Sequence, residues 1–403
     1  MRKTMARNPI FLNNPEKFNT PYTISKTKLE SAIGVVLDKL EKMAIDHPNE
    51  MPSGSAGFKY IFTNETGGWI VGMYAGCHWL AYELTGKKIF RETGERLMLA
   101  FKEKIDHKID VDHHDLGFLY IPSCVAPYKA TGNELGREIG LAAANYLYEK
   151  SFSKEGKFII RSIKSWHGSG CRTMMDSMMN VPLLFWAGKE TGNEELTEAA
   201  IAHCKTTDEL LLRADSSTYH HYQFDPETCN PVGGLTLQGH SNESCWSRGH
   251  AWGVYGFPIA YTYVKEEFAK KAHRDLTYFM LNHLPEDNVP AWDYDFTSTK
   301  AVKDSSAGVI SVCGLNEMAK HLPDADPDKA LFNNAAAMIL DSTIDTCTGD
   351  NGIDYDGFLF HVTGYASAKR PERRHIDQTA VYGDYFYFES LLRLYNPNFR
   401  MYW

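Results

Sequence analysis

The feature that most constrains the fold of this chain is an alternation between two kinds of helix-forming segment. One kind is amphipathic: in residues 134–150, Leu135, Ile139, Ala143 and Leu147 recur every four residues and form one apolar stripe. The other kind is rich in aromatic and small residues and poor in charge, which is typical of helices that are buried on all sides. The alternation predicts two layers of helices, one outside the other.

The amphipathic segments, expected in the outer layer, are residues 26–44, 88–105, 134–150, 194–213, 264–284 and 328–345. The apolar segments, expected in the inner layer, are residues 68–83, 115–129, 173–189, 246–263, 305–320 and 379–395. Each of the first three apolar segments is followed by a glycine, as is common at helix C-termini: Gly86, Gly132 and Gly192.

Six inner and six outer helices predict an all-α, single-domain (α/α)6 barrel. A closed ring is favoured because an open stack would leave the apolar faces of its end repeats in water. We expect residues 26–403 to form this barrel and residues 1–25 to form an N-terminal extension that packs on it. The long polar connections at 214–245, 285–304 and 349–374 are expected to form the rim of its mouth.

Charge and cysteine usage exclude several classes of protein. The net charge of -9 argues against binding to nucleic acid or to a membrane surface, since both need basic surface. No apolar run has the length of a signal peptide or a membrane span, which favours a cytoplasmic location. The 8 cysteines are scattered singly, which favours reduced thiols, and no histidine or cysteine spacing indicates a metal. We expect no metal and no cofactor.

Two aspartates, Asp115 and Asp176, stand in apolar surroundings that do not normally tolerate a carboxylate. Asp115 lies in HHDLGF at 113–118, and Asp176 lies between two methionine pairs in MMDSMM at 174–179. Such an acid is retained mainly where it lines a cavity, so we interpret the two as a catalytic pair. Two structural alternatives remain open. Asp176 could pair with Arg172 on an exposed helix, and Asp115 could be an acid that a helix dipole favours.

Residues 238–252 combine aromatic planes with planar hydrogen-bond donors. Gln238, Trp246, Arg248 and Trp252 lie in this run, and Trp69 begins another apolar segment. Such groups hold sugar rings and carboxylates. Core packing explains tryptophans equally well, but it explains an arginine among small and aromatic residues less well.

These motifs, together with VYGDYF at 381–386, resemble the unsaturated glucuronyl hydrolases of glycoside hydrolase family 88. The likeness runs through nearly the whole chain and implies an (α/α)6 barrel enzyme. Its expected substrates are glycosaminoglycan disaccharides, left by polysaccharide lyases, that carry a 4,5-unsaturated uronic acid at the non-reducing end. In this family an acid protonates C4 of the vinyl ether, water adds at C5, and the resulting hemiketal opens and releases the neighbouring sugar.

The resemblance also implies roles for individual residues. Asp176 would be the general acid and base, and Asp115 would hold sugar hydroxyls and stabilise developing positive charge. His250 stands where many relatives have glutamine. The positions implied for substrate binding are Trp69, His220, Gln238, Trp246, Arg248 and Trp252.

Relatives that prefer sulfated glycosaminoglycan fragments carry a Ser-x-x-Ser-x-Lys loop, which corresponds to residues 364–369 here. Ser367 and Lys369 match that pattern, whereas Gly364 lacks the first hydroxyl and Leu237 replaces an arginine found in some of those relatives. The resemblance therefore implies tolerance of, or preference for, sulfated chondroitin or hyaluronan-type disaccharides. The alternatives are an unsaturated rhamnogalacturonyl hydrolase that acts on pectin, a sugar epimerase, and a carbohydrate-binding protein on the same barrel.

Overall fold

The computed structural model describes residues 7–56, 58–64, 67–161, 171–349, 354–366 and 374–403. After a short helix α1 (Pro15–Asn19), the outer helices within these residues are α2 (Lys26–Asp46), α4 (Lys88–Asp106), α7 (Glu134–Ser151), α9 (Glu194–Leu210), α11 (Glu267–His283) and α13 (Pro327–Cys347). The inner helices are α3 (Val71–Thr85), α5 (Leu116–Tyr120) with its continuation α6 (Ala126–Thr131), α8 (Pro182–Thr191), α10 (Ser247–Val264), α12 (Ser305–His321) and α14 (Val381–Tyr395). Successive inner helices pack on each other and α14 packs on α3, which closes the ring. The predicted (α/α)6 barrel is confirmed.

The two layers differ in burial as the sequence predicts. In α10 every residue from 247 to 260 is buried, whereas α7 buries mainly the stripe that contains Ile139, Ala143 and Leu147. The glycines after α3, α6 and α8 have φ values of 66°, 74° and 71°. Glycine adopts this left-handed conformation without steric penalty, so it ends each helix and turns the chain toward the outer layer.

Short antiparallel strand pairs decorate the barrel. Strands β1 (Met51–Ala56) and β2 (Lys59–Thr63) form one hairpin, and β3 (Phe152–Ser153) pairs with β4 (Phe158–Ile159). A three-stranded sheet joins β5 (Arg172–Met174), β6 (His221–Phe224) and β7 (Pro231–Leu235). The connection at 214–245 thus supplies two strands of a sheet.

The prediction of one helix across residues 173–189 is wrong. The segment starts as strand β5, continues as a 3-10 turn at Met175–Met179, and becomes α-helical only from Pro182. Proline is favoured in the first turn of a helix because it has no N–H to satisfy there, and pairing of β5 with β6 competes with helix for the residues before it. Asp176 therefore stands on a tight turn between a strand and a helix.

The inner segment predicted at 115–129 is helical but not uniform. Helix α5 leads into a π-helical turn at Ile121–Val125, and α6 follows directly. Pro122 lies within this turn, where its missing N–H removes one backbone hydrogen bond. Wide turns of this kind insert one extra residue into a helix and are frequent near functional sites.

The N-terminal residues pack on the outer layer. The Asn334 side chain of α13 donates a 2.9 Å hydrogen bond to the carbonyl of Phe18, whose ring is buried. The Arg7 guanidinium pairs with Asp208 at 2.6 Å and with Asp275 at 2.9 Å, which ties the chain to α9 and α11. Within the described ranges, the helices lack the combination of length and apolar character that a membrane crossing requires.

Candidate active site

A cavity of about 1150 Å³ lies where the inner helices begin. The residues just before or at the N-termini of α3, α5, α8, α10 and α14 line it, as do residues of the three-stranded sheet. These lining residues include Trp69, Asp115, Asp176, His220, Gln238, Trp246, Arg248, Tyr365 and Tyr382. Because several inner helices begin there together, residues distant in sequence meet in one space.

Asp176 lies inside this cavity, and its side chain is 13% exposed. Strand pairing places Met174 opposite His221, and the Met175 amide donates to the His220 carbonyl at 3.0 Å. His220 is thereby held beside the acid, with its Nε2 atom 3.1 Å from Asp176 Oδ2. Both atoms are buried from water, so at this distance the imidazole acts directly on the carboxyl.

Asp115 precedes α5 and lies in the same cavity, 18% exposed. Its carboxylate contacts His114 Nε2 at 3.3 Å and His113 Nδ1 at 3.5 Å. Burial raises the pKa of Asp115, but these two imidazoles outweigh burial and hold the pKa below the ordinary value of a carboxyl. Asp115 therefore stays ionised under conditions in which other carboxyls begin to take up protons.

The structure disfavours the alternative for Asp176, and it places Asp115 at a helix start, where the alternative for that acid stays open. Arg172 lies on strand β5 and itself lines the cavity, so it does not form an exposed helical pair with Asp176. Asp115 occupies the position before the first residue of α5, but its side chain makes no capping hydrogen bond there. Both carboxylates face the cavity that they share.

Aromatic rings and one guanidinium form a continuous wall that leads to Asp176. Trp69 stacks on Tyr382 with ring centroids 5.1 Å apart. The Arg248 guanidinium lies between Tyr382 and Trp246, 4.7 Å and 4.6 Å from their ring centroids. Trp246 in turn packs on His220 at 4.5 Å. A wall of this kind offers apolar ring faces and polar edge donors together.

The guanidinium of Arg248 is already engaged within the protein. Its Nη1 atom donates to Asp304 Oδ2 at 2.6 Å and to the Thr363 carbonyl at 2.7 Å, and Nη2 donates to the Gly364 carbonyl at 3.0 Å. Arg248 is 3% exposed and Asp304 is fully buried. This arginine thus anchors the segment that carries Gly364 and Tyr365 into the cavity.

Several of the predicted binding residues lie elsewhere or outside the described residues. Trp252 is fully buried beneath the aromatic wall, 6.4 Å from Trp69 and 5.0 Å from Phe118, and does not line the cavity. His250 is also fully buried, and its Nε2 donates to the Leu276 carbonyl at 2.9 Å. Ser367 and Lys369 lie outside the described residues.

The structure adds cavity residues that the sequence did not single out. Tyr382 belongs to the motif at 381–386, so its aromatic ring among small residues was a usable signal. The other added residues lie on strands or irregular loops, where no periodicity in the sequence signals a site. They are Tyr60, Arg161, His221, Tyr365, His375 and Gln378. Burial holds the pKa of His221 well below its ordinary value, with help from His220 and Arg172, so His221 is neutral.

The family model Glycosyl Hydrolase Family 88 matches residues 39–284. The unsaturated chondroitin disaccharide hydrolase of Streptococcus pneumoniae is 35% identical over 399 residues, covering 97% of this chain and 98% of that protein. A crystal structure of the unsaturated glucuronyl hydrolase of Streptococcus agalactiae aligns with a TM-score of 0.92 at 34% identity, over 100% of both chains. An aspartate-to-asparagine mutant of that enzyme, complexed with dGlcA-GalNAc6S, aligns with a TM-score of 0.85 at 33% identity, over 100% of both chains. The chain belongs to glycosyl hydrolase family 88.

Proposed function

We propose that this hydrolase removes a 4,5-unsaturated uronic acid from the non-reducing end of glycosaminoglycan disaccharides, by hydration of the C4=C5 vinyl ether. The observation that carries the proposal is the pair Asp115 and Asp176, which share one cavity beside an aromatic wall. The relatives support the substrate class, since those from Streptococcus are an unsaturated chondroitin disaccharide hydrolase and an enzyme complexed with dGlcA-GalNAc6S.

The two carboxyls differ in a way that supports separate roles. Asp115 has a lowered pKa and two histidine contacts, so it remains a carboxylate and is unsuited to donate a proton. Asp176 is the other carboxyl of the pair, and its side chain lies in the cavity with a contact to His220 at 3.1 Å. When two carboxyls of one site have different environments, one usually acts as the proton donor and the other stays ionised. We assign proton transfer to Asp176.

The chemistry then proceeds with one acid that acts twice. Asp176 donates its proton to C4, and the positive charge that develops toward C5 is stabilised by the ionised Asp115. The resulting Asp176 carboxylate accepts a proton from the water that adds at C5. The hemiketal so formed opens and releases the neighbouring sugar. His220, 3.1 Å from Asp176, orients that carboxyl during both transfers.

The charges around the cavity suit an anionic substrate. The chain carries a net charge of -9, yet His113, Arg161 and Arg172 line this space, as does Arg248, whose charge is paired with Asp304. Local cations offset the repulsion that an acidic protein exerts on a uronate carboxylate. The proposed substrate-binding residues are Trp69, His220, Gln238, Trp246 and Arg248, with Trp252 supporting the wall from below.

We also propose that sulfated disaccharides are accepted, through Ser367 and Lys369. Gly364, at the start of the corresponding loop, lines the cavity, and so does Leu237. A lysine beyond Gly364 would offer a point charge to a sulfate on the second sugar. Turnover of sulfated and unsulfated chondroitin disaccharides by wild type and Lys369→Ala tests this role, and equal turnover by both proteins on the sulfated substrate would refute it.

The function is tested by loss of the double-bond absorbance on incubation with unsaturated disaccharides from chondroitin, hyaluronan and rhamnogalacturonan. We expect turnover of the first two by wild type and a loss of about 10²-fold or more in Asp176→Asn, as for removal of a general acid. Asp225→Asn is the matched control, because Asp225 lies at the end of β6 outside the cavity. Full activity in Asp176→Asn would remove the assignment, and turnover of the rhamnogalacturonan substrate alone would favour the pectin alternative.

A further inference from the structure

The residues next to the two carboxyls are hydrogen-bonded to each other. His114 precedes Asp115, Ser177 follows Asp176, and the distance from His114 Nδ1 to Ser177 Oγ is 2.8 Å. Ser177 is fully buried and His114 is 3% exposed, so water does not replace this bond. One side-chain contact therefore joins the two segments that present the acids.

Contacts of Asn180 also join the two segments. The Phe118 amide donates to Asn180 Oδ1 at 2.9 Å, and Asn180 Nδ2 donates to the carbonyl of Asp176 at 3.1 Å. Gly117 lies so close to Asn180 that a Cβ atom on it would stand 2.3 Å from the Asn180 Cα atom. The two segments thus have little freedom to separate, and the Ser177 hydroxyl lies in a fixed position relative to both acids.

The direction of the hydrogen bonds follows from the chemistry of the imidazole. Burial lowers the pKa of His114, so at neutral pH the ring is uncharged and carries one donor and one acceptor nitrogen. Nε2 lies 3.3 Å from the ionised Asp115, which only accepts, so the proton belongs on Nε2. Nδ1 is then the acceptor, and the Ser177 hydroxyl donates to it.

We propose that Ser177 is a positioning residue whose hydroxyl fixes His114 in the Nε2–H tautomer and thereby keeps a proton directed at Asp115. The inference rests on the proposed function and extends it to a residue that does not line the cavity. Partners that orient a functional group through its second nitrogen are a general device for setting a histidine tautomer.

Other charged and titratable groups face this unit from the elements around it. His113 contacts Asp115, while Arg161 and Asp176 act on His114 over longer distances. His203 of α9 interacts electrostatically with His114, and burial lowers its pKa to about 3, so it is neutral. His221 is also kept neutral by burial. With these neighbours unchanged, removal of the Ser177 hydroxyl takes away the hydrogen bond that His114 Nδ1 accepts.

The test compares Ser177→Ala with wild type in kcat, KM and the pH profile of kcat/KM on an unsaturated chondroitin disaccharide. We expect kcat to fall about tenfold or more, with a smaller change in KM, because the substrate does not touch Ser177. Loss of the proton directed at Asp115 raises the pKa of this acid, so the acidic limb should move to higher pH. Ser123→Ala is the matched control, because Ser123 is equally buried and its partners, the Leu119 carbonyl and the Cys124 thiol, lie in its own helical segment.

Three further comparisons separate the outcomes. Ser177→Thr keeps the hydroxyl and should retain the wild-type acidic limb, and Ser177→Cys, a weaker donor, serves if the alanine variant does not fold. An acidic limb in Ser177→Ala that coincides with that of wild type, or kinetics equal to those of Ser123→Ala, would overturn the inference. Wild type without turnover of any unsaturated disaccharide would instead overturn the proposed function.

Discussion

Replacement of Asp304 by asparagine should loosen one wall of the cavity without touching it directly. Asp304 is fully buried, accepts a 2.6 Å hydrogen bond from Arg248, and does not line the cavity. The variant keeps the size of the side chain and one acceptor oxygen but leaves the Arg248 charge unpaired. The expected effects are a loss of stability and a displaced Thr363–Gly364 segment, which Arg248 holds through two carbonyls.

The magnitude follows from burial of the pair. Removal of one partner of a buried ion pair costs about 3–5 kcal/mol, and the oxygen retained by asparagine favours the lower end, about 3 kcal/mol. The matched comparison is Glu190→Gln, which breaks the Arg137–Glu190 pair, with side chains 32% and 24% exposed. That substitution should lower the free energy of unfolding by only about 0–1 kcal/mol, because water screens the pair.

Urea unfolding followed by circular dichroism gives the free energy of unfolding for both variants, and disaccharide kinetics gives KM. For Asp304→Asn we expect KM to rise more than kcat falls, because the displaced segment carries Tyr365 into the cavity. A stability loss no larger than that of Glu190→Gln, together with an unchanged KM, would refute the view that Arg248 serves as the anchor of this segment.

Three other outcomes are expected. Burial raises the pKa of Asp384 to about 7 despite the hydrogen bond from Tyr60, so the folded state retains a proton that the unfolded chain loses. The free energy of unfolding should therefore fall as the pH rises from about 4 to about 7. Urea unfolding of Asp384→Asn should lack this decline, and an unchanged decline would contradict the raised pKa of Asp384. Gly117→Ala should lose activity and about 1–3 kcal/mol of stability in urea unfolding, because its Cβ would meet the Asn180 backbone. Gly34→Ala, with open space around it, should do neither, and equal effects of the two would contradict this account. All 8 cysteines are described and buried, so Ellman's reagent should label the thiols only after denaturation, and prompt labelling would argue against their burial.

The barrel could be predicted from sequence because each layer has its own periodicity. Burial on every side of α10 and on one stripe of α7 follows directly from which residues are apolar. Residues 173–189 were mispredicted because Thr173 and Met174 pair with a strand about fifty residues away, and local periodicity contains no information on such a partner. Tertiary pairing overrode an apolar run that also fits a helix.

The candidate site could be predicted from sequence where a residue type is unusual among its neighbours. Asp115 and Asp176 stood out as acids among apolar residues, and both line the cavity. Trp252 has the same composition signal as Trp246, but the turn of α10 directs one ring into the core and the other to the cavity wall. The internal engagement of Arg248 depends on carbonyls more than a hundred residues away, which no local pattern reveals.

The π-helical turn at Ile121–Val125 has a consequence for the angular placement of Asp115. Each residue of an α-helix rotates the side-chain direction by about 100° around the helix axis. One inserted residue therefore rotates the residues before the turn, Asp115 included, relative to α6. Deletion of Pro122 from this turn would let regular hydrogen bonding continue through the segment while turning Asp115 away from Asp176. The π-helical turn thus sets the direction in which the Asp115 side chain points, relative to the packed helix α6.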